Sequence, residues 1–135
     1  MSHSDASTED TVTAEAVVPI LRIFDEDAAA AFYEDFLGFR RNWEHRFEPG
    51  MPLYAEVERC GITLHLSGHH GDCCPGATVF VWMRGLDAFH AEISARDYPA
   101  CNPGIEDTFY DARCMTVTDP FGNRIRFNER NGSPA

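Results

Sequence analysis

Short apolar runs alternate with stripes of helical spacing along most of the chain. VVPILRIF (Val17 to Phe24) is an apolar run of strand length. Asp25 then stands where a helix N-cap belongs, and Ala29, Phe32, Tyr33, Phe36 and Leu37 recur at the spacing of one helical face. Gly38 supplies the stop. FRRNWEHRF predicts an exposed strand, and LYAEVERCGITLHLS predicts two strands joined by a tight turn near Cys60-Gly61.

The same order returns further on. ATVFVWM (Ala77 to Met83) is strand-like, and LDAFHAEISARDYP places Leu86, Phe89 and Ile93 on one helical face. A loop with Pro103 and Gly104 follows, then ARCMTVTDPFGNRIRFNER, two strands around the turn DPFGN. Val18 to His65 spans 47 positions and Thr78 to Arg126 spans 48, so the halves superpose almost without gaps. That argues for an internal duplication within one domain over 15–130, with halves of about 15–68 and 77–130. Residues 1–14 and 131–135 read as polar, disordered tails.

At 135 residues with 44% apolar content, the chain can bury a sizeable core without disulfides. Five cysteines, an odd number without framework spacing, read as free thiols in a reducing compartment. The N-terminus lacks a basic-then-apolar signal pattern, and no apolar run reaches the roughly 18 residues of a membrane span. A cytoplasmic protein without membrane partners is the expectation. The formal charge of -11 argues against nucleic-acid binding, which needs Lys and Arg to meet phosphates. It biases encounter towards cationic ligands.

One stretch invites a metal reading. HLSGHHGDCCPG (His65 to Gly76) holds three histidines, an aspartate and two cysteines. Its segment His69 to Gly76 falls between the halves, where a connecting loop belongs, and tight sites draw their ligands from separate elements. It reads as a loop, with adventitious zinc or nickel binding as the rival.

The two βαβββ halves, the segment FYEDFLGF (Phe32 to Phe39) and the turn DPFGN (Asp119 to Asn123) resemble the vicinal oxygen chelate superfamily of glyoxalases, extradiol dioxygenases and bleomycin-resistance proteins. The resemblance implies an α+β fold, two βαβββ modules forming a cupped mixed sheet, in a homodimer whose N-terminal strand is long enough to swap. The superfamily's enzymes hold a divalent metal on four strands with His, Glu or Gln. The matching positions here are Val18, His65, Thr78 and Arg126, of which His65 alone is a good ligand. No catalytic residue, metal site or cofactor is therefore expected.

Within the superfamily the chain looks most like the bleomycin-resistance proteins, through Leu64 to Ser67 and VFVWMRGLDAF (Val79 to Phe89). That resemblance implies sequestration of a bulky, cationic aromatic molecule in a groove shared by two chains. Trp43 and Tyr54 fall on the groove strands, where aromatic faces stack on planar groups and favour cations, although packing in the core or dimer interface accounts for them equally. On the strand Ala77 to Met83, the parity of Thr78 favours Phe80 and Trp82 as cavity walls, with core packing again the alternative. Phe109-Tyr110 matches a segment that closes over the cavity in relatives, with Asp111 and Cys114 departing from their pattern. Glu44, Glu48, Glu56 and Glu58 supply negative charge around the opening, with a solvated strand face as the alternative for each. His65 and Arg126 are pseudo-symmetric counterparts, expected close together, and able to bind an anionic group or an acidic side chain such as Asp111. The ligand-binding set is thus Trp43, Tyr54, His65, Phe80, Trp82, Tyr110 and Arg126. A lyase, isomerase or dioxygenase with an atypical metal site built from His65 and the HHGDCC loop is the alternative function, and an interaction module without a small ligand is a third.

Overall fold

The computed structural model describes residues 11–132. The greater part of the expected N-terminal tail and the last three residues lie outside them. Strand β1 (Ile20–Arg22) leads into helix α1, which is α-helical over Glu26–Ala29 and π-helical over Ala30–Phe36. Strands β2 (Arg40–His45), β3 (Tyr54–Arg59) and β4 (Ile62–Ser67) complete the first half. The second half runs β5 (Thr78–Trp82), α2 (Leu86–Ser94), β6 (Ile105–Asp107), β7 (Ala112–Thr118) and β8 (Arg124–Arg130). Each half builds its own four-stranded mixed sheet, ordered β1-β4-β3-β2 and β5-β8-β7-β6. In both, the first strand runs parallel to the last and the remaining pairs are antiparallel. The fold is α+β, as the repeated pattern predicts.

Local chemistry explains the boundaries. The Asp25 carboxylate accepts from the Ala28 backbone N–H at 2.8 Å, capping α1. At the other end Gly38 adopts a φ of +80°, a left-handed conformation that favours glycine, and a Cβ there would make the Arg59 guanidinium, 2.3 Å away, shift. Cys60 and Gly61 both have positive φ, 43° and 92°, the signature of a tight hairpin turn whose twist matches its strands. Helix α2 has no side-chain cap of its own, because Gly85 occupies that position. Glu129, from β8, reaches across instead and accepts from the N–H groups of Gly85 and Leu86. Its negative charge also suits the helix N-terminus.

Three details differ from the sequence pattern. The first strand is confined to Ile20–Arg22, because Pro19 offers the ladder a carbonyl and no N–H. The helix over Ala30–Phe36 widens to an i→i+5 pattern, closing with Leu37 N–H on the Phe32 carbonyl at 3.0 Å. The loop after Pro103 and Gly104 contains the short edge strand β6, whose three residues are too few to show a period.

A single core joins the halves. All five residues of the predicted α1 stripe are buried, as are Leu86, Phe89 and Ile93 of α2. The Phe36 and Tyr98 rings stack at 4.6 Å where the two halves meet. At the centre of the join lies the DPFGN turn. The buried Asp119 carboxylate accepts from the Tyr33 hydroxyl at 2.7 Å, from the backbone N–H groups of Phe121 and Asn123 at 2.8 Å each, and from the Asn123 amide at 2.9 Å. The same Asn123 amide donates to the Arg22 carbonyl, and its oxygen accepts from Ala77 N–H. Burial first, then the neighbouring carboxylate, pushes the Tyr33 hydroxyl far above its ordinary pKa, so it stays a donor. A second tie lies at the rim. Arg59 donates both guanidinium nitrogens to Glu92 at 2.7 Å and also caps the Leu37 carbonyl, while Arg96 bridges Glu92 to the Phe36 carbonyl.

Two expectations follow. Tyr33→Phe removes one of the donors to a buried carboxylate and should cost about 1–2 kcal/mol; Asp119→Ala orphans several buried donors and should cost about 3 kcal/mol, both read as shifts in urea unfolding. Glu92, held by hydrogen bonds from Arg59, has its carboxyl lowered from 4.5 to about 2. A folded value below the unfolded one means stability that is present above pH 4.5 and lost as pH falls towards about 2. The stability-against-pH curve of Glu92→Gln should therefore be flatter in that window than that of the unsubstituted protein.

Candidate functional site

Alternation along each strand gives each sheet a core face and an open face. On the first sheet, Ala55, Val57, Leu64 and Leu66 turn into the core. Ile20, His65, Glu56 and Trp43 then form one row across the open face, with Tyr54 and His45 in the next. A bulge in β2 shifts the register between Arg41 and Trp43, so both Asn42 and Trp43 lie against Glu56. Without the extra residue, strict alternation would turn Trp43 to the opposite face from Asn42.

The rings on this face are in contact. Trp43 and Tyr54 stack at 6.0 Å and 8°, and the His65 imidazole stands edge-on to both, at 5.3 Å and 5.2 Å. Tyr54 Oη lies 2.7 Å from His65 Nδ1, and His65 Nε2 lies 2.9 Å from Glu56 Oε1. Asn42 donates to the other Glu56 oxygen at 2.8 Å, and this bond, more than His65, holds the Glu56 carboxyl below its usual range. Burial raises the Tyr54 hydroxyl, so Tyr54 keeps its proton. An ionised Glu56 can only accept, so Nε2 carries a proton. In the neutral ring Nδ1 then accepts from Tyr54. Both nitrogens of the one good metal ligand among the four matching positions are occupied.

On the second sheet, Val79 and Val81 pack against the core while Phe80 and Trp82 point away, 48% and 41% exposed. The parity expected from Thr78 is the one observed. The row Thr116, Arg126 and Phe80 crosses this open face beside the row Glu106, Cys114, Asn128 and Trp82. Phe80 and Trp82 meet at 5.0 Å, Tyr110 closes on both at 5.8 Å and 5.9 Å, and the Arg130 guanidinium sits 4.0 Å over Trp82. The Tyr110 hydroxyl donates to the buried Asn128 amide oxygen. Thr108 accepts from the N–H groups of Tyr110 and Ala112, which fixes the segment carrying Phe109, itself 98% exposed. Beside these rings lies a cleft of about 420 Å3 lined by Glu106, Asp107, Phe109, Tyr110, Thr116 and Arg126.

The polar partners of several expected site residues are defined. His65 finds its polar partners in Tyr54 and Glu56 of the first sheet, whereas Arg126 faces the cleft of the second. Asp111 accepts from Asn131. Glu44 and Glu58 are paired with Arg41 and Arg40, which removes much of the negative charge expected at the opening. In the connecting loop Asp72 accepts from Ser67 Oγ at 2.6 Å, and burial followed by the Asp72 charge pushes the Cys73 thiol up, away from the thiolate a metal needs. Among the described residues no three His, Cys, Asp or Glu side chains converge on a point that could hold a metal ion. At the superfamily's four positions Val18 offers no donor and Arg126 is a cation, so the donor set does not fit a divalent ion.

Sequence pattern alone missed three participants. Asn42 reaches Glu56 only because of the bulge, which leaves no trace in residue types. Arg124 and Arg130 share the parity of Arg126 on β8, and that signal was present in RIRFNER.

A family model of the glyoxalase superfamily matches residues 2–133. No protein of curated function matches the sequence. Among solved structures, the bleomycin-binding protein of bleomycin-producing Streptomyces verticillus, complexed with copper(II)-bleomycin, is 25% identical, with a TM-score of 0.66, covering 91% of this chain and 100% of that one. TnmS3, an antibiotic-binding protein from Streptomyces sp. CB03234, is 19% identical with a TM-score of 0.69, covering 90% and 100%. The bleomycin resistance determinant encoded on transposon Tn5 is 20% identical with a TM-score of 0.66, covering 87% and 99%. With a model spanning nearly its whole length and the paired βαβββ architecture in place, the chain belongs to the glyoxalase superfamily.

Proposed function

We propose that the protein sequesters a bulky aromatic small molecule, with a bleomycin-like cationic glycopeptide as the first candidate. The observation that carries this reading is the pair of open faces. Trp43, Phe80 and Trp82 stand exposed at 41% or more, on strands whose opposite sides are buried core, and Phe109 is exposed on the turn before β7. Large rings held rigidly in the open are costly unless something covers them. The Trp43–Tyr54 stack offers a flat platform, and Glu56 beside it favours a cation. Structural neighbours that bind bleomycin and other antibiotics support the ligand class.

Two copies would complete the groove, setting the Trp43 face of one chain against the Phe80 face of the other. The segment before Ile20 is exposed over 11–17 and lacks regular structure, and a swap would let β1 pair with the partner's β4. No reaction is assigned. The metal-dependent alternative has no convergent donor set among the described residues, and His65 is already committed through both nitrogens.

Calorimetric titration with metal-free and copper-loaded bleomycin tests the reading. Saturable binding at one drug per chain is expected, weakened about tenfold by Trp43→Ala through loss of stacking. No heat with either form would remove bleomycin as the ligand. For His65, long-range proton–nitrogen NMR near pH 8 should show the Nε2–H tautomer, and Tyr54→Phe should release it to a tautomer mixture. Unchanged thermal midpoint after exhaustive chelation is the accompanying expectation; a loss of structure on chelation would restore the metal reading.

A further inference from the structure

The chain carries 11 basic side chains, and every one is an arginine. Six of them, Arg40, Arg41, Arg46, Arg59, Arg96 and Arg113, are tied to carboxylates. In a protein with twice as many acidic as basic residues, that is what mass action predicts. Of the five that form no ion pair among the described residues, Arg124, Arg126 and Arg130 share one strand. Their parity on β8 places all three on the open face of the second sheet, while the intervening Ile125, Phe127 and Glu129 turn towards the core and α2. None forms an ion pair among the described residues, although Glu106 and Asp107 line the same cleft as Arg126. The Arg130 guanidinium sits over the Trp82 ring. Arg126 lies between Phe80 and Thr116 and lines the cleft that Tyr110 and the Phe109 segment close.

We infer that the cleft on the open face of the second sheet, built on Arg126 with Arg124 and Arg130 beside it, binds the anionic group of a planar aromatic ligand such as an aryl carboxylate. The inference rests on reading the open faces as ligand-binding surfaces and assigns the ligand's chemistry on one of them. The geometry supplies both halves of such recognition. A guanidinium takes a carboxylate through two parallel hydrogen bonds, and the Tyr110 ring in the cleft wall, with Phe80 and Trp82 packed against it, offers its edge and face to an attached ring. The Thr116 hydroxyl stands across from Arg126 as a further donor. The two faces then differ in sign: Glu56 marks the first for cations, and Arg126 marks the second for anions. The cleft's 420 Å3 suits a fused bicyclic ring with one acidic group rather than a polymer.

The test uses three isosteric probes, 2-naphthoate, 2-naphthalenemethanol and 2-naphthylmethylammonium, with quenching of Trp82 fluorescence as the signal in the full chain carrying Trp43→Phe. Saturable quenching by naphthoate is expected, at least about tenfold tighter than by the alcohol, with the ammonium weakest. Arg126→Gln should erase the preference for naphthoate over the alcohol while leaving alcohol binding unchanged, and Arg126→Lys should restore part of it. Equal affinity for naphthoate and the alcohol, a naphthoate affinity unaffected by Arg126→Gln, or no binding of naphthoate would each overturn the inference. Bleomycin titration separates this result from the sequestration reading: bleomycin binding without naphthoate selectivity sinks only the anionic cleft, and naphthoate selectivity without bleomycin binding sinks only the drug.

Discussion

Four hydrogen bonds converge on the carboxylate of Asp119, and the relation between the halves depends on them. A buried carboxylate is tolerable only when its lone pairs are filled, and here they are filled from both halves of the chain. Tyr33 comes from α1 of the first half; the backbone N–H groups come from the turn between β7 and β8 of the second. Asn123 then extends the same network to the Arg22 carbonyl at the end of β1 and to Ala77 at the start of β5. The first strand of each sheet is thereby anchored to one turn. Substituting an apolar group at any node would leave the others unpaired in a dry interior, which explains why the turn reads DPFGN and not merely any tight turn.

With the sheets so fixed, the two open faces inherit their positions from backbone geometry and their chemistry from a few side chains. Pseudo-symmetry pairs Tyr54 with Cys114, Glu56 with Thr116 and His65 with Arg126, as the matching strand registers show. One face is a closed circuit of hydrogen bonds between a phenol, an imidazole and a carboxylate. Its counterpart replaces that circuit with guanidinium groups lacking carboxylate partners, walled by rings. The same fold places an imidazole at one position and a guanidinium at its equivalent, because duplication copies the backbone and leaves the side chains free to diverge.

Much of the architecture was legible in the residues. The stripe of α1, the stripe of α2, the Cys60-Gly61 turn and the equivalence of the halves all rest on local periodicity or turn chemistry, which a sequence displays directly. Alternation also places Phe80 and Trp82 on the side away from the core, since it is a property of any strand. What escaped depends on relations between distant segments. The bulge that brings Asn42 and Trp43 to Glu56 arises from pairing between β2 and β3, and a strand of three residues such as β6 is too short to carry a pattern. Pairing of Glu44 and Glu58 with neighbouring arginines likewise needs side-chain geometry, so a count of acidic residues overstated the charge at the first face. The division of the strands into two separate sheets is likewise not revealed by pseudo-symmetric spacing alone.

Strand alternation has one more consequence. Every residue on an open face is flanked in sequence by residues that hold the core, yet its own side chain contributes little to that core. Substitutions there can accumulate one at a time without unfolding the molecule, and each face can change its preferred partner independently of the other. A duplicated module of this kind is a device for trying new molecules against an unchanging frame, with the Asp119 junction as the part that must stand still.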